Sequence, residues 1–160
     1  MATYTRPAAI DSDAVGWYDS DTDVIRMTSS LGISDVIENV TIDNSTTGTI
    51  NFDALTQAII FFDDSQAANR TINFRGDATK SLDSVMVAGE AMTFATLMRE
   101  GTTAYYLNAY QIDSAAVTPK WQGGSTPSSG NASSIDTYTF TIVKTATSTF
   151  TVLASQTQFT

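Results

Sequence analysis

Apolar and polar residues alternate along most of the chain after about residue 36, and the alternation is clearest near the C-terminus. In residues 137–142 and 149–154, aromatic or aliphatic residues take every second position and threonine most of the others. A period of two is typical of a strand with one buried and one exposed face, and the branched Cβ of threonine favours the pleated backbone. The short segment 144–147 between the two runs predicts a β-hairpin.

Shorter strand-like runs precede this hairpin. We predict strands in residues 36–42, 49–52, 58–62, 71–75, 82–87, 91–101 and 103–112. Residues 91–101 also fit a helix capped by Gly101, but we favour a strand because the neighbouring runs are strands. Residues 103–112 are expected to pair back on 91–101. About eight to ten short strands with Gly, Asp and Ser turns predict an all-β fold, namely an antiparallel β-sandwich or jelly roll.

The N-terminal part of the chain has a different pattern. Residues 1–14 are polar and predict an arm, and residues 16–27 predict a hairpin around a turn of Asp, Ser and Thr. An isolated hairpin is marginally stable in water, so its apolar residues need a partner. We therefore predict an attachment and oligomerisation unit in residues 1–34 and a β-sandwich domain in residues 35–160. The predicted interface residues are Trp17, Tyr18, Ile25 and Met27.

The composition argues against catalysis. The 160-residue chain contains no histidine and no cysteine. It therefore lacks the commonest general base near neutral pH, thiolate nucleophiles, disulfides and Cys-based zinc sites. The sequence predicts a protein that is not an enzyme and has no catalytic, cofactor-binding or metal-binding residues.

The charge balance and the apolar runs limit the partners. With 8 basic and 17 acidic residues, the formal net charge of -9 repels nucleic acid. No apolar run approaches the roughly 18 residues of a membrane helix, and the N-terminus has no apolar signal-peptide core. We expect no nucleic-acid or membrane partner.

Two segments resemble proteins of tailed bacteriophages. The sequence Gly-Trp-Tyr-Asp-Ser-Asp-Thr-Asp-Val-Ile-Arg-Met of residues 16–27 resembles a short hairpin of many tail-fibre and virion proteins. Residues 118–127, with a Lys-Trp pair, a double glycine and a proline, precede an Asp-aromatic strand in residues 135–140. This arrangement is similar to a C-terminal β module of phage virion structural proteins, including those of marine cyanophages.

The resemblance implies a β-sandwich on the outer surface of a phage head or tail, made in the host cytoplasm. Such modules are usually oligomeric and frequently trimeric. The expected partners are other virion proteins of the capsid or tail and further copies of the chain. The chain is short for a complete tail fibre, which leaves capsid decoration, head-fibre and tail-fibre roles open.

The alternative function is a carbohydrate-binding module that recognises host surface glycans. Trp121, next to the Gly- and Ser-rich segment 122–134, is the candidate for ligand contact, because aromatic rings stack on sugars. Core or interface packing competes with this interpretation for the aromatic residues. A glycosidase pair formed by Asp63 or Asp64 with Glu90 or Glu100 is disfavoured, because sequence does not place these carboxylates opposite each other.

Overall fold

A computed structural model describes residues 16–19, 24–27 and 37–160 of the chain. The chain divides into two compact units, residues 1–37 and 38–160. In the first unit, strands β1 (Gly16–Asp19) and β2 (Val24–Met27) form an antiparallel hairpin. The predicted arm, residues 1–14, and the predicted turn, residues 20–23, lie outside the described residues.

The second unit consists mainly of strands arranged in two sheets. Its strands are β3 (Val40–Asp43), β4 (Ile50–Asp53), β5 (Ile59–Phe62), β6 (Arg70–Arg75), β7 (Ala91–Arg99), β8 (Leu107–Ile112), β9 (Ala115–Ala116), β10 (Lys120–Trp121), β11 (Ile135–Ala146) and β12 (Thr149–Phe159). A helix, α1 (Leu82–Val85), and a 3₁₀ turn, Gln122–Gly124, complete the described elements. The six-stranded sheet has the order β10-β12-β11-β7-β5-β3, and the four-stranded sheet has the order β4-β6-β8-β9.

The first six strands of this unit wind between the two sheets. Strands β3, β5 and β7 are parallel in one sheet, and β4, β6 and β8 are parallel in the other. Because consecutive strands alternate between sheets, they form three stacked coils in the manner of a short β-solenoid. The predicted all-β class is confirmed, but the predicted antiparallel arrangement is wrong for these six strands. The predicted pairing of β8 with β7 is also wrong, because the two strands belong to different sheets.

The C-terminal hairpin agrees with its sequence pattern. Strands β11 and β12 pair antiparallel over most of their length, and β11 pairs antiparallel with β7. The hairpin therefore extends the six-stranded sheet beyond the last coil. Threonines 137, 139 and 141 are half-buried on one face of β11, whereas Tyr138, Phe140 and Ile142 are fully buried on the other.

The core between the two sheets is aromatic. Phe52 and Phe74 of the four-stranded sheet lie 4.9 and 5.4 Å from Phe94 of the six-stranded sheet, between ring centroids. Phe74 also lies 5.0 Å from Phe140, edge to face. These separations are typical of favourable aromatic pairs, which add roughly 0.5–1.5 kcal/mol each beyond burial. The aromatic contacts therefore join the parallel coils to the C-terminal hairpin.

One predicted strand is a helix instead. We predict a strand in residues 82–87, but Leu82–Val85 form α1. The Ser81 hydroxyl accepts a backbone hydrogen bond in the first turn at 3.0 Å. The carboxylate of Asp113 accepts hydrogen bonds from the first two helical N–H groups at 2.6 and 3.0 Å. These acceptors satisfy donors that a helix leaves unpaired, and Asp113 is remote in sequence, so local alternation did not reveal the helix.

Candidate interaction surface

The six-stranded sheet has one face on the core and one directed away from it, which we call the outer sheet face. It consists of residues 40 and 42 of β3, 59 and 61 of β5, the odd-numbered residues of β7, the odd-numbered residues 135–143 of β11 and 151–159 of β12, and Lys120 of β10. The strand register aligns these positions in rows. One row is Val40, Ile59, Ala95, Thr139 and Ser155, and the next is Ile42, Phe61, Leu97, Thr137 and Thr157.

The outer sheet face has a composition unlike that of the whole chain. The chain has 17 acidic residues, yet none of the positions of this face, all within described strands, is Asp or Glu. Its charged residues are Arg99 and Lys120. Arg99 forms an ion pair with Asp63 at 2.6 Å, and its guanidinium carbon lies 5.7 Å from the centroid of the Phe61 ring. The face is therefore nearly neutral in a strongly acidic protein.

Several large apolar side chains on the outer sheet face are open to solvent. Val40 is 44% exposed, Ile42 57%, Leu153 48% and Phe159 57%. Single exposed apolar residues are common on protein surfaces, but contiguous apolar area is typical of interaction sites. Val40 and Ile42 lie beside the half-buried Ile59 and Phe61, so this part of the face is contiguous. The sequence had placed Val40 and Ile42 on one face, and the structure shows that this face is directed away from the core.

The outward side of the four-stranded sheet is polar, unlike the outer sheet face. Asn51, Asn73 and Gln111 are neighbours on β4, β6 and β8, and Asn73 Nδ2 donates to Asn51 Oδ1 at 3.0 Å. Beside them, Arg75 and Asp53 form an ion pair at 2.5 Å. These polar groups satisfy one another, and Asn51, Asp53 and Arg75 are open to water, whereas Asn73 is buried beneath them. The outer sheet face is the better candidate for contact with protein.

A shallow depression of about 360 Å³ lies at the β10 edge of the outer sheet face. Exposed or half-buried Lys120, Gln122, Thr139 and Leu153 are among the residues that line it, and Trp121 also contributes to its lining. The backbone after Trp121 turns sharply, since Gly123 and Gly124 have φ of 76° and 80°, a region that favours glycine. The depression offers hydroxyl, amide and ammonium groups to a polar ligand.

The structure places Trp121 mainly in the core. Its ring lies edge to face with Tyr110 at 5.4 Å, Phe140 at 6.2 Å and Tyr138 at 6.5 Å. The residue is only 9% exposed. A sugar-stacking platform requires an exposed ring face. The geometry favours the core interpretation of this residue, and its contact with a ligand stays a prediction.

The predicted attachment residues of the N-terminal hairpin lie in described backbone. The register pairs Trp17 with Arg26, Tyr18 with Ile25 and Gly16 with Met27. The predicted hairpin is therefore present. The role of Trp17, Tyr18, Ile25 and Met27 in attachment stays a prediction.

A buried polar cluster joins the loops at the end of β7. Asp136 is fully buried, and its carboxylate accepts hydrogen bonds from the Asn131 side chain at 2.8 Å and from Gln156 Nε2 at 2.9 Å. Gly130 passes so close to this site that a Cβ there would lie 1.9 Å from the Tyr105 carbonyl oxygen. Sequence reasoning predicts only a long loop here. The Gly-Asn pair before the Asp-aromatic strand was the available signal, but its partners come from other strands.

Glu100 is a second carboxyl group beside this cluster. The residue is 3% exposed, its Oε2 accepts the backbone N–H of Tyr105 at 2.8 Å, and its Oε1 has no hydrogen-bond partner. The pKa of Glu100 is raised to about 7, chiefly by burial; the Tyr105 hydrogen bond opposes this rise and the charge of Asp136 adds to it. The carboxyl group therefore changes its charge near neutral pH, inside a junction of loops.

The carboxylates considered for a glycosidase pair lie in different environments among the described residues. Such a pair requires a separation of roughly 5–10 Å. Glu90 and Glu100 flank the extended strand β7, which separates them by about 30 Å at 3.3 Å per residue. Asp63 is exposed and bound to Arg99, and Asp64 is exposed, whereas Glu100 is buried.

Two features are absent from the part of the chain that the structure describes. It contains no group of three or more His, Cys, Asp or Glu side chains placed to hold a metal ion. It also contains no helix long and apolar enough to span a membrane.

Comparison with known proteins gives no relative. No family model, no curated protein and no solved structure matches this chain. Its function is therefore inferred from its own residues and geometry.

Proposed function

We propose that this chain is a non-enzymatic structural protein of a bacteriophage particle. It is exposed on the outer surface of the particle, as a capsid-decoration, head-fibre or tail-fibre component, and binds other virion proteins and copies of itself. The main support for binding to other proteins is the outer sheet face. A broad, nearly neutral surface of aliphatic residues and threonine is suited to burial against protein. The resemblance of residues 16–27 and 118–140 to phage virion proteins supports the same role.

The fold agrees with a purely structural task. Two packed sheets with an aromatic core give a sandwich-like module, and its coils stack through continuous backbone hydrogen bonds. The parallel coils differ from the antiparallel strands of a jelly roll, so we propose a layered sandwich without jelly-roll topology. A particle surface requires such rigid modules with large contact faces more than it requires a pocket.

The proposed location is tested on purified particles of the virus whose genome encodes this sequence. We expect mass spectrometry of density-banded particles to detect peptides from both units of the chain. Antibodies raised against the purified chain should label intact particles, because the proposed site is the outer surface. Absence of the chain from banded particles contradicts the proposal, and labelling only after particle disruption contradicts the external location.

The depression beside Trp121 supports the alternative function, a module that binds host surface glycans. If this function holds, the purified chain binds glycans on an array saturably. Gln122→Ala and Lys120→Ala then reduce binding by roughly tenfold, since each removes about one hydrogen bond, worth roughly 1–1.5 kcal/mol. Both residues are exposed, so these variants keep the fold, unlike a change of the buried Trp121. Array binding that both variants leave unchanged contradicts this site.

A further inference from the structure

We propose that the outer sheet face packs against the outer sheet face of a second copy of this chain. This inference deepens the self-association part of the proposed function and rests on it. It identifies which surface of the chain makes the contact and which residues lie at its centre. In a two-fold arrangement the same face serves both copies, as in most protein dimers.

The charge distribution selects this face for self-association. Two copies with a formal net charge of -9 repel each other wherever they present carboxylates. The outer sheet face presents none, and its Arg99 is already neutralised by the ion pair with Asp63. Lys120 lies in β10, the edge strand, away from the central rows. Contact through this face therefore avoids the repulsion and leaves the acidic residues in water.

The shape of the central rows permits close packing of two sheets. Ala95 and Thr139 lie inside one row, which ends at Ser155, and Leu97 and Thr137 belong to the next. Sheets that pack face to face lie about 10 Å apart, a distance that small and β-branched side chains fill by interdigitation. The more exposed Ile42 and Leu153 lie on either side of this centre and supply apolar area.

The area of the face reaches the range of specific interfaces. Five strands, β3, β5, β7, β11 and β12, span about 24 Å at roughly 4.8 Å per strand. On this face β7, β11 and β12 each extend for about 30 Å, whereas β3 and β5, with four residues each, extend for about 13 Å at roughly 3.3 Å per residue. The footprint is therefore about 550 Å² per copy, or about 1,100 Å² in total, above the roughly 1,000 Å² that a biological interface requires.

The outward side of the four-stranded sheet is less suited to self-association than the outer sheet face. This outward side bears mutually hydrogen-bonded Asn51 and Asn73 and the Asp53–Arg75 ion pair. Burying the exposed Asn51 and the partly exposed Asp53–Arg75 pair against a second copy requires the loss of their contact with water. On the outer sheet face the Arg99–Asp63 ion pair lies at one end, the Thr93 and Thr141 hydroxyls share a hydrogen bond at 3.1 Å, and the two central rows contain no charged residue.

The test measures the solution mass of the full chain by light scattering and sedimentation equilibrium. We expect a dimer for the wild type and an increase of roughly 100-fold or more in the dissociation constant for Thr139→Glu, which buries two like charges at the centre. Thr71→Glu adds the same charge on the outward side of β6, where Thr71 is half-buried like Thr139, and should leave the dimer intact. Far-UV circular dichroism must be unchanged in both variants.

The outcomes separate this inference from the proposed function. A wild-type chain that stays monomeric at about 100 μM overturns the inference, as does an oligomer that Thr139→Glu leaves intact or that Thr71→Glu dissociates equally. Detection in virus particles is measured independently of solution mass. A monomeric chain that is present in particles overturns only the face-to-face contact, and a dimer that is absent from particles overturns only the virion role.

Discussion

Replacing Arg70 with methionine is expected to lower the free energy of unfolding by about 3 kcal/mol. Arg70 is 3% exposed and lies at the start of β6. Its guanidinium donates to the Gly48 carbonyl and the Ser45 carbonyl, each at 3.0 Å, and its Cζ lies 4.4 Å from the centroid of the Phe62 ring. It thereby ties the turn between β3 and β4 to the next coil.

The size of the expected loss of stability follows from the hydrogen bonds that methionine cannot make. Methionine fills part of the volume but donates no hydrogen bond, so the two turn carbonyls lose their partner. Burial lowers the pKa of Arg70, which shows that the charged group is partly desolvated in the folded state. Removing this desolvation cost offsets part of the loss. We therefore expect about 3 kcal/mol rather than the sum of all the contacts.

Arg99→Met is the matched control for Arg70→Met. Arg99 makes an ion pair with Asp63, but the two side chains are 44% and 47% exposed. Exposed ion pairs contribute roughly 0–1 kcal/mol. Urea unfolding followed by circular dichroism at pH 7 compares the two variants with the wild type. Equal losses of stability contradict a special role of Arg70 in joining the coils.

The second large effect concerns Glu100 and depends on pH. The pKa of Glu100 rises from 4.5 to about 7 on folding, chiefly because the carboxyl group is buried. The folded state then holds a proton that the unfolded state releases. The stability associated with this group is fully present below about pH 4.5 and is lost as the pH rises to about 7. Above that pH the folded protein contains a buried carboxylate.

Glu100→Gln should remove this loss of stability at high pH. The amide oxygen of glutamine accepts the Tyr105 N–H as Oε2 does, and its NH₂ group takes the place of the unpartnered Oε1. We expect the variant to be more stable than the wild type by about 2–3 kcal/mol at pH 8 and nearly equal to it at pH 4.5, since each pKa unit corresponds to roughly 1.4 kcal/mol. Urea midpoints measured across this pH range give the difference.

Two results would contradict the assignment of this pH-dependent stability to the burial and titration of Glu100. The exposed Glu38→Gln removes one negative charge as well and should change stability by less than about 0.5 kcal/mol. A similar stabilisation by Glu38→Gln assigns the effect to net charge instead of burial. A difference between Glu100→Gln and the wild type that does not vary with pH excludes the titration of this carboxyl group as its cause.

Local alternation was sufficient to predict the C-terminal hairpin. In β11, each threonine between Tyr138, Phe140 and Ile142 lies on the outward side, as the period of two requires. The two runs are long and joined by a short turn, so register and direction follow from the sequence itself. The ambiguous run 91–101 was assigned to a strand because its neighbours are strands, and its residues 91–99 do form a strand, β7.

The environments of Trp121 and Glu100 were harder to predict from the sequence. Trp121 was singled out for its ring chemistry, but its neighbours in the core, Tyr110 and Tyr138, come from distant strands. Glu100 was considered only as a catalytic carboxylate, because its burial depends on a loop more than 30 residues later in the chain. Both environments are created by contacts between segments that no local pattern specifies.

The sequence by itself determined the all-β class, the positions of most strands and the C-terminal hairpin, because side-chain alternation is a local property of the backbone. Only the tertiary structure decided which strands are parallel and which sheet each one joins. A strand with one apolar side satisfies the same burial requirement in either direction, so direction depends on how the connections place the next strand. The outer sheet face exists for the same reason, since its rows combine residues from five strands that only the stacking of the coils brings together.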